Sequence, residues 1–219
     1  MSPSASEPFI VASWEIEQAL EVIRRGGVVA FPTETYYGLA VDPFNREAVA
    51  RLFVLKRRAP DKPILTLVGE REQLPQLAAQ VPIVYEPLIS AFWPGPLTLI
   101  FAARPDLPAA LTGYTGTIGI RISSHPLAAR LMAAWGGPLT ATSANFSGQP
   151  AAASAPEVIA QLGPDVDYVL DGGPTAGGPG STLVGLDNHQ PLLIRAGVIP
   201  YEAIMTALAA GENQGKEGV

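Results

Sequence analysis

Short apolar runs alternate with segments of helical periodicity through the first two-thirds of this chain, and glycine or proline stands between most of them. The first example is an amphipathic segment between Ser13, its expected N-cap, and the stop at Gly26-Gly27. A buried strand, Val28–Phe31, follows at once. Later in the chain strands cluster instead of alternating with helices. This order predicts one α/β domain whose mixed, twisted sheet is flanked by helices.

The same signals place the remaining elements along the chain. Caps and stops predict helices from Asn45 to about Lys56, over roughly residues 83–92, from Pro126 to Gly136-Gly137, from Ser154 to Leu162 and from about Pro200 to Ala209. Apolar runs predict strands at Ile64–Val68, Leu97–Ala102, Thr117–Ile122, Leu139–Thr142, Tyr168–Leu170, Thr182–Leu186 and Leu192–Arg195. The predicted domain covers residues 10–210, with flexible tails at 1–9 and 211–219.

Composition excludes several kinds of site. The 219 residues are 47% hydrophobic and 16% charged, which is typical of a globular domain. A chain without cysteine has no disulfide, no thiolate zinc site and no cysteine nucleophile. Histidine occurs only at His125, an expected cap before a helix-starting proline, and at His189, in an expected turn. A site built from several histidines is therefore excluded as well.

Charge and hydropathy restrict the location and the partners. The net charge of −6 and the pI near 4.9 disfavour a protein that coats nucleic acid indiscriminately, because such binding depends on widespread phosphate neutralisation. No segment has the pattern of a signal peptide or the length of a membrane span. We therefore expect a cytoplasmic protein with no membrane partner, in which a local basic cleft is still able to hold a nucleotide.

Basic residues concentrate between the helix that ends near Lys56 and the strand that begins at Ile64. Five of the fourteen basic residues lie within twelve positions, at Arg51, Lys56, Arg57, Arg58 and Lys62. Cations at a helix end also complement the negative end of the helix dipole, so a solvated helix end is an equal alternative. Connections on a rigid scaffold are nevertheless where binding groups concentrate.

Two polar segments follow predicted strands. Thr33, Glu34 and Thr35 leave the first strand in a row, where a polar ligand is able to reach them, and the tyrosines behind them offer flat apolar walls. A turn capped by threonine hydroxyls is the alternative. Ser143 lies in a second polar loop, and hydrogen bonding suits it better than nucleophilic attack, because no G-x-S-x-G elbow surrounds it.

A glycine-rich segment and two arginines complete the candidate groups. Residues 171–182 hold five glycines within nine positions, so their backbone is able to approach an anion closely, although a flexible loop is the more common outcome. Arg121 and Arg195 each stand at the end of an apolar strand. Both are able to reach solvent or to form bidentate contacts with a carboxylate or phosphate.

Several of these segments form an ordered set of motifs. They are Pro32-Thr-Glu-Thr-Tyr-Tyr-Gly-Leu39, Lys56-x-Arg58 with Lys62, Trp93-Pro-Gly-Pro-Leu-Thr98, Arg121, Thr142-Ser-Ala-Asn-x-Ser-Gly148, Gly180-Ser-Thr182 and Arg195-x-Gly197. In this order the motifs resemble the YrdC-like family over about residues 15–200. The resemblance implies a twisted α/β sheet around a concave, positively charged cleft, in the short single-domain form of the family.

The resemblance also implies an activity. Members of the family that share these motifs convert L-threonine, bicarbonate or carbon dioxide, and ATP into threonylcarbamoyl-adenylate and pyrophosphate, with magnesium accompanying ATP. A separate transferase complex then delivers the threonylcarbamoyl group to adenosine in tRNA, so tRNA is an indirect partner. Long members carry a histidine after the basic motif, where this chain reads Ile64–Val68, so a threonine contact from that strand is expected from its backbone.

The resemblance assigns roles position by position. It implies ATP contacts from Lys56, Arg58, Lys62, Thr117, Ser143, Asn145 and Arg195, with Lys56 and Arg58 as the catalytic cations. It implies threonine contacts from Thr33, Thr35, Tyr37, Arg121 and Ser181, with Arg121 holding the carboxylate. No side chain stands out as a general base or as a metal ligand.

Two alternatives to this enzyme remain. The first is a non-catalytic RNA-binding module that uses the basic cleft, which the acidic net charge and the threonine-pocket residues disfavour. The second is carbamoyl transfer from another donor, as in YrdC-like domains of larger maturation proteins, whose accompanying zinc-finger and acylphosphatase segments do not occur in this sequence.

Overall fold

The structure, a computed structural model, describes residues 11–217, and side chains as far as residue 211. The helices are α1 (Ser13–Arg24), α2 (Arg46–Lys56), α3 (Glu86–Phe92), α4 (Pro126–Trp135), α5 (Ala155–Leu162) and α6 (Tyr201–Glu217). The strands are β1 (Val29–Pro32), β2 (Tyr37–Ala40), β3 (Thr66–Leu67), β4 (Leu97–Ala102), β5 (Thr117–Arg121), β6 (Leu139–Thr140), β7 (Thr142–Ser143), β8 (Tyr168–Val169), β9 (Thr182–Asp187) and β10 (Gln190–Arg195). Helix α6 continues past its expected end near Ala209, and the expected tail at residues 1–9 lies outside the described residues.

The α/β class is confirmed, but the strands form two mixed sheets where the sequence predicts one. The four-stranded sheet has the order β7-β2-β1-β8, and the six-stranded sheet has the order β10-β9-β4-β5-β3-β6. The predicted strand Leu139–Thr142 is divided between them, because Thr140 pairs with Thr66 of one sheet and Thr142 with Leu39 of the other. The Thr140 hydroxyl also donates to the Leu39 carbonyl at 2.9 Å, which joins the sheets.

Local capping explains where two helices begin. The Asn45 side chain accepts from the backbone N–H groups of residues 47 and 48, both at 3.1 Å, and thereby confirms the predicted N-cap of α2. At α1 the predicted cap is wrong by one residue. Ser13 is already helical, and the Glu15 carboxylate accepts from the Ala12 N–H at 2.7 Å, because an acidic side chain in the first turn satisfies the free N–H groups there.

Strand β1 lies between two hydrophobic clusters. Its alternate side chains separate, so that Ala30 joins the larger cluster around β4, β5 and α2, whereas Val29 and Phe31 join the smaller cluster against α1 and α4. A strand buried on both faces reads as a continuous apolar run. Its end is therefore rigid, and it holds the polar residues 33–35 in a defined position.

Within residues 11–217, none of the helices combines the length and the apolar character that crossing a bilayer requires.

Candidate functional site

A cavity of about 340 Å³ opens where the connection between β1 and β2 meets the ends of β5 and β10. Of the predicted ATP contacts, Arg58, Ser143 and Arg195 line it. Of the predicted threonine contacts, Thr33, Thr35, Tyr37, Arg121 and Ser181 line it. Its wall therefore contains three arginines and several hydroxyl groups, and no carboxylate among the described residues. Such a wall suits an anionic ligand with hydrogen-bonding groups.

Arg58 is aimed by the backbone of its own segment. Helix α2 ends at Arg57, whose left-handed conformation (φ 50°) turns the chain away from the helix axis. The Arg58 guanidinium then donates from Nε to the Lys62 carbonyl at 3.2 Å and from Nη2 to the Pro63 carbonyl at 2.7 Å. Within the described residues it forms no salt bridge, so its charge is available to an anion in the cavity. Burial lowers the pKa of Arg58, while Asp61 opposes that shift.

Lys56 does not face the cavity, contrary to the role that the resemblance implies. Only 1% of the residue is exposed, and its Nζ donates to the carbonyl of Ser143 and, at 2.9 Å, to the carbonyl of Asn145. The physical reason is its place on the buried face of α2, one turn after Leu52. In this structure Lys56 therefore braces the loop that carries Ser143.

Asn145 also lies behind the cavity wall. Its Oδ1 accepts from the Ser143 hydroxyl at 2.5 Å, and its Nδ2 donates to the Phe146 carbonyl at 3.0 Å and to the Gln149 carbonyl at 2.6 Å. Both ends of the amide are thus occupied within the loop. Asn145 orients Ser143, which does reach the cavity.

Lys62 and Thr117 are not brought to the cavity wall. Lys62 is exposed, and the Thr117 hydroxyl shares a 2.8 Å hydrogen bond with that of Thr115. The other two cations of the basic segment lie at the surface. Arg51 pairs with Asp167 at 2.8 Å, and Arg57 lies 4.3 Å from the centre of the Phe146 ring.

Arg121 forms a buried ion pair with Glu34. Its Nη1 lies 2.6 Å from Glu34 Oε1, and the two side chains are 4% and 12% exposed. The Ser123 hydroxyl donates to the other carboxylate oxygen of Glu34. Burial lowers the pKa of Arg121, and nearby Arg195 acts in the same direction, whereas Glu34 raises it. The sequence presents Glu34 only as one of three polar groups in a row and contains no signal that pairs it with Arg121.

Hydroxyl groups at the cavity are themselves hydrogen-bonded. Thr33 Oγ1 donates to the Tyr36 carbonyl at 2.7 Å and lies 3.2 Å from Thr35 Oγ1. Ser181 Oγ accepts from Thr98 Oγ1 at 2.9 Å, and the Ser181 carbonyl accepts from Arg195 Nη2 at 2.8 Å. These bonds fix the orientation of the hydroxyl groups in the cavity wall.

The glycine-rich segment folds against the 33–37 connection. The Gly177 N–H donates to the Thr35 carbonyl at 2.6 Å, and the Tyr36 hydroxyl donates to the Gly178 carbonyl. Behind them the Tyr37 hydroxyl donates to the Gly173 carbonyl at 2.8 Å, and burial raises the pKa of Tyr37. The segment is thus held in place and forms one edge of the cavity through Pro179 and Gly180.

The described residues contain no group of three or more carboxylate, histidine or cysteine side chains arranged to hold a metal ion. The carboxylate of Glu34, which forms a salt bridge with a cavity residue, is already shared between Arg121 and Ser123. The Asp171 carboxylate accepts from the Tyr37 hydroxyl and from the Gly173 N–H. Magnesium prefers oxygen ligands and carries several waters, and it is held through carboxylates together with substrate phosphates. The protein side of such a site is absent from this wall, so the residues do not fit a resident magnesium ion.

Replacing Lys56 with methionine is expected to remove a pH dependence of stability. Burial lowers the pKa of Lys56 from 10.5 to about 7, with repulsion from Arg58 contributing. Between these values the unfolded chain binds a proton that the folded protein does not, so the stability of the wild type rises with pH. From about pH 7 to about pH 10 the wild type should gain about 2 kcal/mol or more over Lys56→Met in free energy of unfolding. Urea unfolding at several pH values measures this difference. If the free energies of unfolding of the two proteins change with pH in parallel, the expectation is contradicted. Lys62→Met, at an exposed lysine, is the control.

Comparison with known proteins adds an independent finding. The Sua5_yciO_yrdC family model, described as telomere recombination, matches residues 21–197. The chain is 38% identical over 194 residues to the threonylcarbamoyl-AMP synthase of Pyrococcus abyssi, covering 89% of this chain and 57% of that protein. It is 38% identical over 159 residues to the threonylcarbamoyl-AMP synthase of Vibrio cholerae, covering 72% of this chain and 85% of that protein.

The structural likeness agrees with the sequence. The crystal structure of P. abyssi Sua5 complexed with L-threonine superposes with a TM-score of 0.87 at 37% identity, covering 90% of this chain and 58% of that one. The chain thus spans somewhat more than half the length of the P. abyssi protein and most of the length of the V. cholerae protein. Both the family model and the relatives cover most of this sequence, and the chain belongs to the Sua5/YciO/YrdC family.

Proposed function

We propose that this chain is a threonylcarbamoyl-AMP synthase, which forms threonylcarbamoyl-adenylate and pyrophosphate from L-threonine, bicarbonate or carbon dioxide, and ATP. The observation that carries the proposal is that one cavity is lined both by the predicted anion-binding arginines and by the predicted threonine-binding hydroxyls. Relatives of 38% identity that bear this name support it. So does the threonine complex of P. abyssi Sua5, whose fold this chain shares.

The reaction begins with the threonine amine, whose nitrogen forms a C–N bond to the carbon source and gives a carbamate. Bicarbonate loses water in this step, whereas carbon dioxide is added whole and the amine releases a proton to solvent. A carbamate oxygen then supplies an electron pair to the α-phosphorus of ATP. A new P–O bond forms there, and the bond from the α-phosphorus to the bridging oxygen breaks with release of pyrophosphate. Both reactants are anions, so positive charge and positioning are the main requirements of the site.

The proposal divides the substrates between two groups of cavity residues. Arg58 and Arg195 face the phosphates, and the Ser143 hydroxyl, whose proton is donated to Asn145, accepts a hydrogen bond from the nucleotide. Arg121 binds the threonine carboxylate. Direct ATP contacts from Lys62 and Thr117 stay predictions, and Lys56 acts through the loop that it braces.

The walls around Arg121 suit an amino acid with a hydroxyl side chain. Thr33, Thr35 and Ser181 line the same cavity as Arg121. Each of these side chains both donates and accepts hydrogen bonds. The ring of Tyr37 closes the base, since its hydroxyl is occupied by the glycine-rich segment.

Magnesium enters this proposal only as part of the Mg·ATP substrate. The product is labile, so we propose that a separate transferase complex receives it and that tRNA is reached indirectly. A cytoplasmic location belongs to the same proposal, because ATP, bicarbonate and tRNA are all present there.

The purified chain is expected to release pyrophosphate from ATP only when L-threonine, bicarbonate and magnesium are all present. Rapid quenching followed by mass spectrometry should detect the threonylcarbamoyl-adenylate itself. Omitting each component in turn provides the controls. A folded preparation that makes no threonine-dependent product would refute the proposal. RNA binding with a steep salt dependence and no ATP turnover would instead favour the RNA-binding alternative.

A further inference from the structure

Glu34 is the acidic side chain that pairs with Arg121 of the cavity wall, yet it is not itself part of that wall. Its neighbours Thr33 and Thr35 line the cavity, whereas the Glu34 side chain turns to the side and reaches Arg121 and Ser123. It is separated from them by 87 and 89 positions in the sequence. The contact of Glu34 with the cavity wall therefore passes through Arg121.

The guanidinium nitrogen of Arg121 that bonds to Glu34 determines which of its nitrogens remain for a ligand. A guanidinium presents a side-on fork made of Nε and Nη2, and Nη1 lies at its other side. Glu34 takes Nη1 at 2.6 Å. Within the described part of the chain, the Nε of Arg121 is buried and has no hydrogen-bond partner, so it is closed to a ligand as well. Of the three guanidinium nitrogens, Nη2 is therefore the one left to meet an acceptor in the cavity that Arg121 lines.

Ser123 defines the position of the carboxylate in turn. Its hydroxyl donates to Glu34 Oε2 and also accepts from the His125 N–H at 3.2 Å, just before α4 begins. A series of hydrogen bonds from Ser123 to Glu34 to Arg121 thus links the start of helix α4 to the end of strand β5. Both carboxylate oxygens of Glu34 are used, and the carboxylate has little freedom to rotate.

We propose that Glu34 is a positioning residue for substrate binding, which holds Arg121 by Nη1 so that its Nη2 donates to the carboxylate of the amino-acid substrate. The inference rests on the proposed function and adds to it a residue whose effect passes through Arg121. If Glu34 acts by orienting Arg121, the length of the side chain at position 34 matters more than its charge. If Glu34 acts by neutralising the charge of Arg121, the charge matters more than the length.

Two substitutions separate these roles. Glu34→Asp keeps the charge but withdraws the carboxylate by one methylene, so Arg121 loses its anchor or shifts to follow it. Glu34→Gln removes the charge but keeps the reach, because its Oε1 still accepts from Nη1 and its amide still meets the Ser123 hydroxyl. We expect Glu34→Asp to raise the KM and the Kd for L-threonine about tenfold or more, since small misplacements are costly. We expect Glu34→Gln to stay within about threefold of the wild type, with kcat changed little in either variant.

Calorimetric titration with L-threonine and steady-state assays of the full chain provide the measurements, with thermal unfolding as a check on folding. Glu17→Gln, an exposed carboxylate paired with Arg24, is the matched control. If Glu34→Asp fails to fold, Ser123→Ala tests the same series of hydrogen bonds. This variant removes the bond to one carboxylate oxygen of Glu34 and leaves the ion pair between Glu34 and Arg121 intact. It should raise the Kd for threonine about threefold.

The outcomes are distinct. A larger effect of Glu34→Gln than of Glu34→Asp, or wild-type threonine affinity in the folded variants, overturns the inference and leaves the proposed function intact. A wild-type protein that neither binds threonine nor makes the adenylate overturns the proposed function and the inference with it.

Discussion

Replacing Arg58 with alanine is expected to lower kcat/KM for ATP by about 100-fold or more while the protein stays folded. The Arg58 guanidinium lines the cavity, is held by two backbone carbonyls, and has no acidic partner within the described residues. Its charge is therefore preorganised for the phosphates and for the charge that develops on departing pyrophosphate. Its removal takes away transition-state stabilisation without leaving a broken salt bridge. Pyrophosphate release at varied ATP concentration measures the effect.

The adjacent Arg57 provides a matched control. Its guanidinium stacks on Phe146 and does not line the same cavity, so Arg57→Ala should change kcat/KM for ATP by less than about threefold. Equal losses of kcat/KM in the two variants would mean that the total positive charge of the segment, and not Arg58 in particular, attracts ATP. Wild-type turnover by Arg58→Ala would remove Arg58 from the phosphate site.

Replacing Gly197 with alanine is expected to destabilise the protein by about 3 kcal/mol and to reduce threonine-dependent turnover strongly. A Cβ atom at this position would lie 2.3 Å from the Thr182 backbone nitrogen and 2.4 Å from the Ser181 carbonyl carbon. Backbone atoms have no rotamer that relieves such an overlap, so the start of β9 must move. That movement carries Ser181, and with it the cavity wall that Arg195 contacts.

Chemical unfolding and the pyrophosphate assay together test this expectation. Gly137 is the matched control, since a Cβ atom there meets only the Trp135 ring and the Gln76 side chain, at 3.5 Å or more. Gly137→Ala should stay within about 0.5 kcal/mol of the wild type. Wild-type stability and turnover in Gly197→Ala would show that this backbone contact is not required.

Much of the secondary structure follows from the sequence, because its signals are local. The Asn45 cap, the Pro126 start and the Gly136 stop each act within one helical turn, and all three stand where they are predicted. Strand β4 has its predicted limits, Leu97–Ala102. Strand β2, Tyr37–Ala40, is a strand that the sequence does not predict. It follows β1 after four residues and is buried on both faces, so neither a polar alternation nor a long apolar run marks it.

The sequence predicts which residues form the candidate site better than it predicts how they are arranged. Arg121 and Arg195 stand at strand ends, as their sequence positions predict, and both reach the cavity. Lys56 is the instructive error. It occupies a position on the same helix face as Val49 and Leu52, and that apolar stripe indicates a buried lysine. The basic motif around it favours a phosphate role and hides this signal.

Local signals in the chain were therefore enough for the α/β class, for most helix limits and for the family, since caps, breakers and motifs depend on neighbouring residues. Long-range packing alone divided the strands into two sheets and gave the Lys56 ammonium group its carbonyl partners in the Ser143 loop. It also joined Glu34 to Arg121 across 87 positions. The physical reason is that strand pairing and buried charge are satisfied by groups remote in sequence. Which partner each group finds depends on how the whole core closes.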